Sequence, residues 1–172
     1  MMNNKLINVT ESRRFNGMEG DVFSYIFNKK IKLEAKGLED SYTKACAAHF
    51  VSLPDDTVNK LVKYTAEYVL ALLDYYGDDF YADEDFDFDE TVPCGRVLNY
   101  LEPTLFSAMS SNFMPVEELT PAFRLTLSFT PIADEDIEWV VRNGEILYVG
   151  EAVKASPWDP KTYEDSSNFA ED

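Results

Sequence analysis

Histidine occurs once in this chain of 172 residues, at His49, and cysteine twice, at Cys46 and Cys94. Two thiols are too few for a disulfide framework and do not form the paired CxxC spacing of a zinc site, so both read as reduced. Any mechanism that moves a proton through an imidazole has to use His49. Cys46 lies three residues before it, on the same face if the segment is helical, a spacing compatible with thiol–imidazole contact. No Gly-rich turn or oxyanion element accompanies the pair, and the seven glycines are scattered singly. The pair therefore reads as core packing. The same absences exclude a phosphate-cradling loop and a nucleotide cofactor, and zinc would need a fourth ligand beside Cys46, His49 and Cys94. No cofactor and no enzyme activity are predicted. Carboxylate pairing of the glycosidase kind is neither indicated nor opposed, because any two of thirty-two acids could converge.

Long apolar runs are absent too. The longest aliphatic stretch, YVLALL from Tyr68, is too short to span a bilayer, and the opening MMNNKLINVTESRR lacks the apolar core of a secretory signal. A cytoplasmic location is the expectation, under which the glycosylation sequon at Asn8 carries no weight.

Basic residues are scarce in one half only. Residues 1–64 hold ten Lys or Arg against eight acids, whereas residues 65–172 hold five against twenty-four, for a net charge of -17. Such a field repels phosphate backbones and anionic lipid, and attracts basic proteins or divalent cations. Expected partners are thus neither nucleic acid nor membrane, but a basic protein; the oligomeric state is not specified.

What is present is enough to fold. Hydrophobic residues make up 45% and aromatics 14% of the chain, well above the composition of a disordered acidic protein. A chain of this length hides roughly 70% of its extended surface. The prediction is one domain over 1–172, with 1–20 and 155–172 peripheral. Val22–Phe27 and Ile31–Ala35 read as a hairpin split at Asn28-Lys29-Lys30, the second run alternating apolar and charged residues. Tyr42, Cys46, His49 and Phe50 share a helical face. SLPDD then resembles a capping box, Ser52 with Asp55, ahead of a helix striped by Val58, Leu61, Val62, Thr65, Tyr68, Val69, Leu72, Leu73 and Tyr76 and stopped by Gly77. Thr104–Met109 and the clean alternation of FRLTLSFT read as strands. IEWVVRNGEILYVG places Asn143-Gly144, a type I′ turn pair, between two more. The expected fold class is α+β: an antiparallel sheet of hairpin and C-terminal meander packed on a two-helix layer.

The candidate site lies in YYGDDFYADEDFDFDETV, Tyr75–Val92, with eight acids between Asp78 and Glu90 and no base. An EF-hand register fails there, because starts at Asp83 or Asp85 put Phe88 or Glu90 at the glycine position and Cys94 or Arg96 at the closing glutamate. A looser, weak metal site would draw on Asp83, Asp85, Asp87 and Asp89. In extended backbone Phe86 and Phe88 point opposite to Asp85, Asp87 and Asp89. The first reading is a solvated acidic loop pinned to the core by its aromatics. The second is a partner-docking surface with aromatic anchors and steering carboxylates. PIADEDIEW adds a second acidic loop, Asp134, Glu135 and Asp136, beside Trp139.

Several segments together carry a resemblance: the hairpin, YTKACAAHF followed by LVKYTAEYVLALLDYY, YLEPTLFSAM, and FRLTLSFTPIADEDIEWVVRNGEILYVGEAV. They resemble an uncharacterised bacterial domain-of-unknown-function family over about Phe23–Val153, Asn143-Gly144 and Val149-Gly150 matching its turn and its ending. Where that family carries a Trp-Asp-acid-Glu-His-Gly segment, this chain keeps Asp134–Asp136 and has no histidine, so no catalytic or metal role comes across. The resemblance implies an α+β bacterial cytoplasmic protein, some relatives being of immunity type. Combined with the charge asymmetry, it makes an immunity-type protein that neutralises a basic toxin the leading expectation. Its contact surface would comprise Asp83, Asp85, Phe86, Asp87, Phe88, Asp89, Asp134, Glu135 and Asp136. The alternative is a weak divalent-cation-binding protein or metal-assisted enzyme using the acidic loop.

Overall fold

The computed structural model describes residues 6–77, 86–115 and 118–171. Seven strands form one sheet in sequential order: β1 Ile7–Glu11, β2 Gly17–Ser24, β3 Lys29–Lys36, β4 Leu101–Ala108, β5 Ala122–Phe129, β6 Asp136–Arg142 and β7 Glu145–Glu151. All neighbours run antiparallel except β3 and β4, which pair in parallel through Leu33 with Phe106 and Glu34 with Ser107. That join cannot be closed by a tight turn, and the chain between the two strands folds as helices α1, Asp40–Val51, and α2, Asp55–Tyr76. The class is α+β, with a mostly antiparallel open sheet.

The period-2 patterns position the core. In β3, Ile31, Leu33 and Ala35 are buried, and in β5 Phe123, Leu125, Leu127 and Phe129 are fully buried while Arg124, Thr126 and Ser128 are only partly covered. On α1, Cys46, Ala47 and Phe50 are buried, and Phe50 packs against Phe106 and Phe123 at ring separations of 5.2 and 5.3 Å. On α2, Leu61, Val62, Tyr64, Thr65, Ala66, Tyr68, Val69 and Leu73 are buried, a wider face than the predicted stripe. The extra width has a cause: α2 is covered by β7 and also by a 3₁₀ helix, Cys94–Tyr100. Inside this core the Trp139 indole N–H donates to the Thr65 hydroxyl at 2.8 Å, tying sheet to helix.

Four local expectations are corrected. The hairpin turn is Tyr25–Asn28 rather than Asn28–Lys30, because the Ser24 hydroxyl accepts the Phe27 N–H and Asn28 takes φ 53°. Ser52 does not cap α2: its hydroxyl donates back to the Ala48 carbonyl at 2.8 Å and so caps the end of α1. With only three residues between the helices, the nearer carbonyls win. The opening residues are not peripheral from Ile7 onward, since β1 pairs with β2 along its whole length.

Nor is the stretch from Ala155 loose. Ala155 is fully buried with Val140 and Tyr148 on the second face of the sheet, where Val153 and Tyr163 close over them. The Asn168 side chain bridges Val149 N–H and the Leu147 carbonyl, and Phe169 N–H donates to Val149. Arg142 donates to the Pro157 carbonyl and lies over the Trp158 ring at 5.0 Å. The C-terminal tail is a strap bound to β6 and β7.

Candidate functional site

Phe86 and Phe88 leave 9% and 2% of their surface exposed, so both point into the core. Phe86 packs on Tyr100 at 4.8 Å and on Phe129 at 6.2 Å. Their burial agrees with the first of the two readings, an acidic segment pinned by its aromatics, and leaves them poor surface anchors, because the period of two that buries them turns Asp87 and Asp89 outward. Asp87 is exposed, its N–H donating to the Tyr100 hydroxyl and its carboxylate facing Arg96 at 3.5 Å. The Asp89 carboxylate accepts from Thr91 N–H and the Thr91 hydroxyl, and these bonds hold its pKa below the usual carboxylate value. Asp83 and Asp85 lie outside the described residues.

Tyr100 also links this segment to the second acidic loop. Its carbonyl accepts the N–H and the hydroxyl of Thr130, which begins the β5–β6 connection. One residue at the end of the 3₁₀ helix therefore joins Phe86–Asp89 to Thr130–Asp136. Asp134, at φ 63°, and Asp136 are exposed, while Glu135 is half-buried. The two acidic segments, far apart in sequence, meet at one end of the sheet.

Glu135 is drawn inward by α2. The Tyr68 hydroxyl donates to Glu135 Oε1 at 2.8 Å, and Tyr68 meets Phe169 of the strap edge-on at 5.3 Å. Between them opens a cleft of about 570 Å³, lined by Tyr68, Tyr75, Tyr76 and Phe169 with the carboxylates of Glu135 and Glu151. Tyr75 is 82% exposed and its ring stands perpendicular to that of Tyr76. Burial first, then the Glu135 hydrogen bond and the negative fields of Glu135 and Glu151, push the Tyr68 hydroxyl pKa well up. Among the described residues no Lys or Arg lines this cleft. Sequence reasoning placed Glu135 in a loop and missed Glu151 and Phe169. Tyr75 and Tyr76, the two residues before the C-cap Gly77, were the legible signal.

The remaining chemical candidates do not assemble. Cys46 is buried, which raises its thiol pKa. His49 accepts the Gly144 N–H at Nε2, 2.9 Å, and burial lowers its pKa, so it is a neutral staple between α1 and the β6–β7 turn. Cys94 is exposed. Among the described residues no three His, Cys, Asp or Glu side chains gather as a metal ion requires. No helix among them is long and apolar enough to cross a membrane.

Cations of the acidic half are largely committed: Arg96 faces Asp87, Arg124 faces Glu138 at 3.7 Å, and Arg142 is held by Pro157 and Trp158. The carboxylates of Asp134 and Asp136 have no such partner among the described residues, and their field reaches solvent. Comparisons with protein-family models, with curated proteins and with solved structures return no match for this chain.

Proposed function

We propose that this chain is a protein-binding domain whose acidic end docks a basic protein, in the manner of an immunity-type protein that neutralises a basic toxin. One observation carries the reading: two acidic segments some forty residues apart are brought to the same end of the sheet by Tyr100, with Asp87, Asp134 and Asp136 exposed. A focused negative surface speeds encounter with a cationic partner and rejects phosphate.

The test uses the partner recovered with the tagged chain at low salt and identified by mass spectrometry. Association of the purified pair is then timed for wild type and for D87K/D134K/D136K, three exposed positions whose reversal leaves the core intact. The expected result is an on-rate lower by tenfold or more, with a flatter salt dependence. An unchanged on-rate overturns the reading.

A further inference from the structure

We propose that the cleft between α2, the β5–β6 loop and the C-terminal strap is a receptor for one arginine side chain of the protein partner. It deepens the protein-binding reading, on which it rests, by naming the chemistry of the anchor. The cleft volume of about 570 Å³ falls within the ~300–1,000 Å³ of small-ligand sites. Four of its lining residues are aromatic, Tyr68, Tyr75, Tyr76 and Phe169, and two are carboxylates, Glu135 and Glu151, with no basic residue among the described residues that line it.

Each feature removes a class of occupant. Two carboxylates without a cation reject phosphates and carboxylates. A bare divalent ion takes six or more oxygens, and here only two of the lining residues are carboxylates while six are aromatic or aliphatic. A neutral apolar ligand would take water from both carboxylates and supply no countercharge. An organic cation suits both the aromatic and the acidic part of the lining, because a ring face and a carboxylate both attract it.

Geometry then favours guanidinium over ammonium. The Tyr68 hydroxyl occupies one oxygen of Glu135, leaving the second oxygen to accept, and no hydrogen bond or ion pair holds the Glu151 carboxylate among the described residues. Carboxylate acceptors from two different elements in one aromatic-lined cleft suit a planar fork of five donors that also stacks, whereas a compact ammonium presents one point of charge. Tyr75, 82% exposed, is an aromatic face kept in water at the cleft mouth, and a stacked guanidinium covers it.

The full chain, labelled with ¹⁵N, is titrated with N-acetyl-arginine amide at constant ionic strength, with the lysine and citrulline analogues as comparison arms. Saturable shifts are expected at Tyr68, Glu135, Glu151 and Phe169, with half-saturation at about a millimolar. The lysine analogue should bind several-fold more weakly, and the neutral citrulline analogue should give no saturable shift. Glu151→Gln and Tyr75→Ala, both at exposed positions, should each weaken arginine several-fold without moving the melting temperature. Lysine binding as tightly as arginine, equal shifts from citrulline, or no saturation would each overturn the assignment. The charge reversal at Asp87, Asp134 and Asp136 spares the cleft lining. An unchanged partner on-rate in that variant beside a saturable, arginine-selective titration therefore fails the docking reading alone, and a slowed on-rate beside no arginine saturation fails the cleft assignment alone.

Discussion

Replacing Glu138 by glutamine should destabilise the protein by about 2–4 kcal/mol, although it changes one atom. Glu138 is 2% exposed at the centre of β6. Its carboxylate accepts three successive backbone N–H groups of the strap: Val153 at 3.1 Å, Lys154 at 3.0 Å and Ala155 at 3.0 Å. Lys154 stands at φ 59°, the left-handed twist that aims neighbouring N–H groups into one concavity. Oε2 takes Val153 and Ala155, and Oε1 takes Lys154 while facing Arg124 Nε at 3.7 Å. A glutamine offers one carbonyl oxygen. In its better orientation it keeps two of the three bonds and turns an NH₂ toward the Lys154 N–H and the guanidinium. Hydrogen bonds to a charged group contribute about 1.5–3 kcal/mol each, and the orphaned N–H adds its desolvation.

Urea titration followed by tryptophan fluorescence measures the loss. Hydrogen exchange at Val153–Ala155 locates it, because those amides should exchange faster even where global unfolding changes less. The companion change Arg124→Met should cost less by itself and should recover part of the Glu138→Gln loss when combined with it, because the guanidinium is then no longer buried beside an amide. A Glu138→Gln protein within about 0.5 kcal/mol of wild type, with unaltered exchange at those three amides, would refute this account of the strap.

Phe88→Ala should lower stability by about 3–5 kcal/mol, the usual cost of emptying a buried aromatic site, as read by urea midpoint; a stable variant would return Phe88 to the surface. The lowered pKa of His49 fixes the sign of its pH dependence: the neutral ring is favoured in the fold. The stability it contributes is therefore complete above the ordinary imidazole value of about 6.5 and is lost as pH falls below it toward the folded pKa. Urea midpoints at pH 7.5 and 5.5 should diverge more for wild type than for His49→Gln. Gly144→Ala should cost about 1–2 kcal/mol by thermal melt, because φ is 80° and the added methyl meets nothing closer than His49 Cε1 at 3.9 Å; only the backbone conformation is penalised.

Where one period dominated, the sequence was sufficient to locate the element. FRLTLSFT could bury one face as a strand and no continuous face as a helix, and Asn143-Gly144 adopts φ 50° and 80° as its turn type requires. The long stripe from Val58 located α2 for the same reason. The misses were contests between local partners: the Ser52 hydroxyl went to the Ala48 carbonyl behind it and not to the N–H groups ahead, and Ser24 with Asn28 closed the hairpin earlier than composition suggested. The strap was illegible because its order comes from Glu138, Arg124, Arg142 and Val149, all distant in sequence.

Residue type and spacing were enough for the α+β class and for the separation of charge between the halves. Only the tertiary structure decided which acids act together. Tyr100 joins two loops separated in the chain, and Tyr68 with Phe169 turns Glu135 from a loop carboxylate into a wall of an aromatic cleft. The physical reason is that a carboxylate's role is set by what lies within a few ångströms of its oxygens. Those neighbours come from helix, loop and strap, whose convergence no local pattern encodes.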